Sequence, residues 1–262
     1  MKDKNFRKMY VETLKINKIL EKARYSNLLI SIPAMQILVR CFARKKAFKS
    51  LIFNSEFFRE NLILSKATSI FSSSTSEKNI NDDISRLSQD NPEKEELRIY
   101  KLIVEIKLIA SLFRGNISEV HKQVLLNFGI FDKFKKIASD AFCTIEILKN
   151  ILYCLKIALT NLKTEQISEL VEIEGLEPIF KSLKSNNFDL ISQALDLVDF
   201  LLRNIDQKGI FLRKYFENKG LEDEYLSKLS DSENDQVRSQ ANNIIYLLNC
   251  YKIGRASCRE RV

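Results

Sequence analysis

One histidine, His121, and five cysteines, Cys41, Cys143, Cys154, Cys250 and Cys258, are all the imidazole and thiol chemistry in this 262-residue chain. No two cysteines stand at C-x-x-C spacing, and no phosphate loop, G-x-S-x-G elbow or Cys/His metal pattern occurs. Those absences point away from an enzyme, a metal site and a cofactor. What remains is charge. Asp196 and Asp199 lie three apart in an otherwise apolar stretch, so on a helix they share a side. With Glu146 they supply negative charge for a basic ligand, or simply a solvated face. Arg40, Arg44, Lys45, Lys46 and Lys49 stand beside Phe42 and Phe48, a composition that suits phosphates and bases. The apolar residues of that segment (Ile37, Leu38, Cys41, Phe48, Leu51, Ile52) recur at helical spacing, which favours a solvated basic face on a packed helix over nucleic-acid binding.

The elements that position these groups follow from composition. Only 6 Gly and 3 Pro are spread over the chain, too few turn formers for an all-β fold, so helix is expected throughout. The longest apolar region, 28–39, is short and interrupted by Ser31, Pro33 and Gln36, so no membrane insertion is expected. Basicity is an N-terminal property: residues 1–63 hold 14 Lys and Arg against 5 acids, whereas 99–252 hold 20 against 21.

Internal periodicity organises the rest. Gly129, Gly175 and Gly220 are separated by 46 and 45 residues, and the same offsets from each recur. One step after the glycine stand Ile130, Leu176 and Leu221; five steps after it Phe134, Phe180 and Tyr225; ten steps after it Ser139, Ser185 and Ser230. A polar break follows each serine, and then a long apolar stretch (144–162, 190–205, 236–251). Each unit therefore reads as a short helix, a glycine turn, a second helix, a polar turn and a longer third helix. Glycine at the first turn supplies the left-handed conformation that ends a helix, and Pro178 suits the first turn of the next. A unit of this size cannot bury its apolar stripe alone, so the units must stack; the period is that of armadillo or HEAT solenoids. In this register His121 is equivalent to Ile167 and Leu212, a packing position rather than a catalytic one.

At these residues the sequence resembles the importin-alpha family. GLEPIF (175–180) is similar to the family's glycine, aliphatic and proline turn, and IALTN (157–161), FLLRN (200–204) and IYLLN (245–249) resemble the Asn-containing ends of its third helices. The resemblance covers about residues 84–251. It implies an all-α, armadillo-type right-handed superhelical solenoid of three-helix repeats, acting in cytoplasm and nucleus as an adaptor of nuclear protein import. Its partners would be the basic localisation-signal peptide of cargo proteins and importin-beta, with no cofactor, metal or small-molecule substrate. In the family, Trp and Asn four apart form a ladder on the third helices: carboxamides clamp the cargo backbone, which needs both donors and acceptors, and aromatic faces hold ammonium groups. This chain has no Trp. One register places Ile157, Phe200 and Ile245 at the Trp positions, with Asn161, Asn204 and Asn249 as clamps. Counting from the preceding glycines shifts the register by about a turn, pairing Asp196 with Phe200 and Asn243 with Leu247. Asparagines that merely end helices are the simpler reading. Asp196 and Asp199 are the acidic candidates beside the ladder.

The segment FRKMYVETLKINKILEKAR (6–24) is similar in spacing to the family's importin-beta-binding and autoinhibitory helix, which assigns that role to Arg7, Lys8, Lys15, Lys18, Lys22 and Arg24. An amphipathic helix packed as a cap is the alternative. The expected layout is a basic N-terminal helix (1–26), a variable helical segment (27–71), a polar linker (72–92), and armadillo repeats (93–252) made of an opening helix and units at about 117–162, 163–206 and 207–251. The tail IGRASCRERV (253–262) back-translates into a sequencing adapter and is expected to be an artefact, which leaves open where the natural chain ends beyond Lys252.

Overall fold

The computed structural model describes residues 15–23, 27–44, 92–114, 118–140, 143–204 and 210–253. Arg7, Lys8, Arg24, Lys45, Lys46, Lys49, nearly all of the stretch expected to be a linker, and the tail beyond Ile253 lie outside them. Two compact units divide at Leu162/Lys163, the boundary expected between the first and second repeats.

The first unit contains α1 (15–23), α2 (Leu28–Arg44), α3 (Pro92–Phe113), α4 (Glu119–Asn127), α5 (Ile130–Ser139) and α6 (Ile145–Asn161). In α1, Ile16, Leu20 and Ala23 are buried at the i, i+4, i+7 spacing of a helical stripe, while Lys15, Lys18 and Lys22 face solvent. The helix is thus packed by its apolar side. Helix α3 packs against both α2 and α6, and Gln36 Nε2 of α2 donates to the Tyr100 hydroxyl of α3 at 2.7 Å. The apolar stripe of α2 differs from expectation at one position: Leu38 and Phe42 are buried, but Ile37 is exposed.

The second unit contains α7 (Thr164–Glu172), α8 (Glu177–Leu183), α9 (Phe188–Asn204), α10 (Ile210–Asn218), α11, which runs as a π-helical turn (Leu221–Leu226) into Ser227–Leu229, and α12 (Asp235–Ile253). Helix α9 packs on α8 and α12. All described elements are helical, and the order short, short, long recurs three times (α4–α6, α7–α9, α10–α12): an all-α array of armadillo-type three-helix units, as the period predicts.

The expected glycine columns carry much of the core. Ile130, Leu176 and Leu221 are wholly buried, and Phe134, Phe180 and Tyr225 are buried five residues beyond each glycine. Two of the three first turns end as expected, with Gly129 at φ 62° and Gly220 at φ 66°. The middle turn does not. Glu174 takes the left-handed conformation at φ 56°, and Gly175 follows it. Glu174 N donates to Val171 O at 2.9 Å and Gly175 N to Leu170 O at 2.8 Å, the paired bonds of a Schellman end. The residue type marked the turn; the backbone geometry fell one residue earlier. The Glu174 side chain meets Lys219, whose Nζ donates to Glu174 Oε1 at 2.9 Å and to Glu177 Oε2 at 3.1 Å.

Counted from helix ends rather than glycines, His121 matches Gln166, not Ile167: each is the third residue of its first helix. Each also serves its helix start. His121 Nδ1 lies 2.9 Å from Ser118 Oγ, and Gln166 Oε1 accepts from Lys163 N at 3.1 Å. Gly129 has open space where a Cβ would go. Replacing it with alanine should therefore cost only the left-handed strain, partly offset by a stiffer unfolded chain, about 1 kcal/mol net in chemical denaturation.

Candidate functional site

The third helices carry the candidate ligand-facing groups, and side-chain caps fix their registers. Thr144 Oγ1 accepts from Ile147 N (3.3 Å), Asn187 Oδ1 from Leu190 N (3.0 Å) and Asn234 Oδ1 from Val237 N (3.1 Å). Asn161 and Asn204 each stand seventeen residues beyond their caps, but Asn249 stands fifteen beyond its own. Two residues are about 200° of helix, so Asn249 is on a different side of α12 from the position the other two share on α6 and α9. A ladder of Asn161, Asn204 and Asn249 at equivalent positions is not what the caps give. Asp196 with Phe200 and Asn243 with Leu247 both stand nine and thirteen residues beyond their caps, as do Tyr153 and Ile157 on α6.

Asn161 serves its own helix. Its Nδ2 donates to Ile157 O at 2.8 Å, a bond back into the last turn of its own helix. Phe200 and Asn249 are half-buried, and Asn204 is the last residue of α9.

Asp196 and Asp199, expected to share a side of their helix, do so, and α12 meets them with a row of carboxamides. Gln236 Nε2 donates to Ser192 Oγ (2.8 Å), Gln240 Nε2 to Asp196 Oδ1 (2.7 Å) and Asn243 Nδ2 to Asp199 Oδ1 (3.1 Å). Every pair is separated by 44 residues, and each partner on α12 stands three positions nearer its cap than its mate on α9, a stagger of nearly one turn. Arg203 closes the row: its Nε lies 2.8 Å and 2.9 Å from the two Asp199 oxygens, and an Nη2–H points to Asn243 Oδ1 at 3.3 Å. Asp196 is exposed and Asp199 half-buried. The arrangement sets carboxylates and carboxamides side by side on two neighbouring helices, bonded to one another: Asp199 is shared by Asn243 and Arg203, Asn243 Oδ1 accepts from Arg203, and Gln240 Oε1 is buried. That is the equipment for holding a polar backbone and a cation without covalent chemistry. Sequence reading identified the acids and missed their partners Gln236 and Gln240, although the constant 44-residue step was there to find.

The other candidates separate. Lys15, Lys18 and Lys22 form the solvent side of α1. Arg40 is exposed, but Phe42 is 1% exposed and so has no face to offer a base. Among the described residues, no cluster of three His, Cys, Asp or Glu is placed to hold a metal, and no helix is long and apolar enough to cross a membrane.

Three solved structures are similar in fold. A designed armadillo repeat protein in complex with the peptide (KR)4 is 16% identical, covering 88% of this chain and 98% of its own, at a TM-score of 0.49. A second designed armadillo repeat protein is 17% identical, with 88% and 99% covered, at 0.48. An engineered protein at 14% identity covers 90% and 96%, at 0.44. No protein-family model matches the sequence, and no curated protein matches it either.

Proposed function

We propose that this chain is a protein-binding adaptor whose paired third helices, α9 and α12, hold an extended basic peptide. The observation that carries the reading is the row Asp196–Gln240 and Asp199–Asn243: acids that attract lysine or arginine, beside carboxamides able to exchange hydrogen bonds with a peptide backbone. The resemblance to importin-alpha gives the cargo its class, a nuclear-localisation peptide, and gives the adaptor its setting in cytoplasm and nucleus. It also gives the N-terminal basic segment a partner, importin-beta. The burial of Ile16, Leu20 and Ala23 supports a resting state in which α1 stays packed until a partner takes it. Of the residues that the resemblance sets at the tryptophan positions, Ile157, Phe200 and Ile245, only Phe200 is aromatic, so lysine stems would lie against one ring at most.

Fluorescence anisotropy with a labelled lysine-rich localisation peptide tests the groove. The double variant Asp196→Asn/Asp199→Asn should bind at least about tenfold more weakly and with a shallower salt dependence, because the exposed Asp196 carboxylate is gone and Arg203 loses the carboxylate that neutralises it. Pull-down of importin-beta with and without residues 1–26 tests the N-terminal segment. If neither partner binds either form, the adaptor reading fails and an armadillo scaffold of other use remains. Salt-dependent binding of a random oligonucleotide would favour the nucleic-acid alternative, which the burial of Phe42 disfavours.

A further inference from the structure

We propose that a second groove, between α2, α3 and α6 in the first unit, binds an extended acidic peptide with two carboxylates three residues apart and an apolar residue between them. The groove encloses about 380 Å³. Its apolar lining is Val39 of α2, Ala110 of α3 and Ile157 of α6, and its charged lining is Lys107 and Arg114 at the C-terminal end of α3. Both cations are exposed. Arg114 reaches the opening, where its Nη2 donates to the Tyr153 hydroxyl.

The polar groups of the walls are turned inward to their own helices. Ser111 Oγ donates to Leu108 O at 2.6 Å, and Asn150 Nδ2 donates to Glu146 O at 2.7 Å and to Glu146 Oε1 at 3.1 Å. Selectivity is thereby left to the two cations above an apolar floor, which suits a carboxylate on an apolar stem and rejects a lysine. Their spacing sets the ligand's spacing. Seven residues apart, Lys107 and Arg114 lie on nearly the same face of α3 about 10 Å apart along its axis. A polyproline-type strand places residues i and i+3 on one face about 9 Å apart, which matches, and needs no hydrogen-bonding edge on the receptor. Tyr153 and Ile157 occupy the same positions beyond their cap as Asp196 and Phe200 do on α9, so equivalent places in successive repeats carry opposite preference. This site is separate from the α9–α12 face, and neither reading rests on the other.

The test is anisotropy on the full chain with a fluorescein-labelled Glu-Pro-Leu-Glu peptide, against Gln-Pro-Leu-Gln and Lys-Pro-Leu-Lys. Saturable binding of the glutamate peptide is expected, weaker by tenfold or more in Lys107→Gln/Arg114→Gln and for the glutamine peptide, and unchanged in Asp196→Asn/Asp199→Asn. Circular dichroism checks that the doubly substituted chain keeps its helices. No binding of the glutamate peptide, equal binding of the lysine peptide, or binding that survives the double substitution would overturn the proposal. So would a random oligonucleotide that outcompetes the peptide at the same residues.

Discussion

Replacing Phe180 with alanine should destabilise the second unit by about 4 kcal/mol, the middle of the range for a buried ring. Phe180 is 1% exposed and touches three further rings: Tyr215 at 5.9 Å between centroids, Phe216 at 6.1 Å and Tyr225 at 5.7 Å. Those partners belong to α10 and α11, the first and second helices of the following repeat. The substitution therefore removes the ring that joins one repeat to the next, and the edge-to-face contacts go with it. Leucine at the same place keeps part of the volume and should cost clearly less. Urea denaturation followed by far-ultraviolet circular dichroism measures the difference. With no tryptophan in the chain, the near-ultraviolet signal comes from tyrosine and phenylalanine, so loss of order at Tyr215 and Tyr225 should be visible directly. A Phe180→Ala cost below about 1 kcal/mol would mean that the repeats do not depend on this column for docking.

The second large effect belongs to Glu105, buried in α3. Its Oε1 has no hydrogen-bond partner among the described residues, and Lys101 Nζ approaches only to 4.0 Å. Burial pushes the carboxyl up from 4.5 to about 7, and the charge of Lys101 offsets this only in part. Because the folded value lies above the unfolded one, the folded chain keeps a proton that the unfolded chain releases. Stability is thus fully present below about pH 4.5 and is lost as pH rises towards 7. The loss approaches about 3 kcal/mol at pH 8, since holding the proton against each further tenfold fall in its concentration costs roughly 1.4 kcal/mol. Glu105→Gln keeps the shape and removes the ionisation. It should be more stable than the parent by about that amount at pH 8, with the advantage shrinking to near zero by pH 4. Equal pH profiles for the two proteins would show that Glu105 is hydrated and ordinary.

How far the sequence could be read depended on what marked each feature. The repeat was legible because a buried aromatic and a buried aliphatic recur at fixed distances from a glycine, and burial depends on residue type. The turn was legible only to within one residue. A left-handed backbone favours glycine without requiring it, and at Glu174 an ion pair with Lys219 accompanies the exception. The third-helix register was ambiguous because the caps are Thr144, Asn187 and Asn234, spaced unlike the glycines, and a cap is seen only when its side chain is known to bond. Asn161, Asn204 and Asn249 looked equivalent by their neighbours, but helix geometry sorts them by distance from the cap. The groove at Lys107 and Arg114 had no sequence signature, since α2 and α3 are far apart along the chain and each is unremarkable alone.

Glu174 bears on how such a chain can change. The first helix of the middle repeat is displaced by one residue against the glycine and aromatic columns, yet Leu176 and Phe180 beyond the turn stay buried and α9 still meets α12 at an even step. A one-residue insertion or deletion at this joint is therefore expected to cost little, leaving the α9–α12 row in phase. Homologues of this chain should vary in length first at that turn, and sequence profiles built on a fixed repeat period would lose them there.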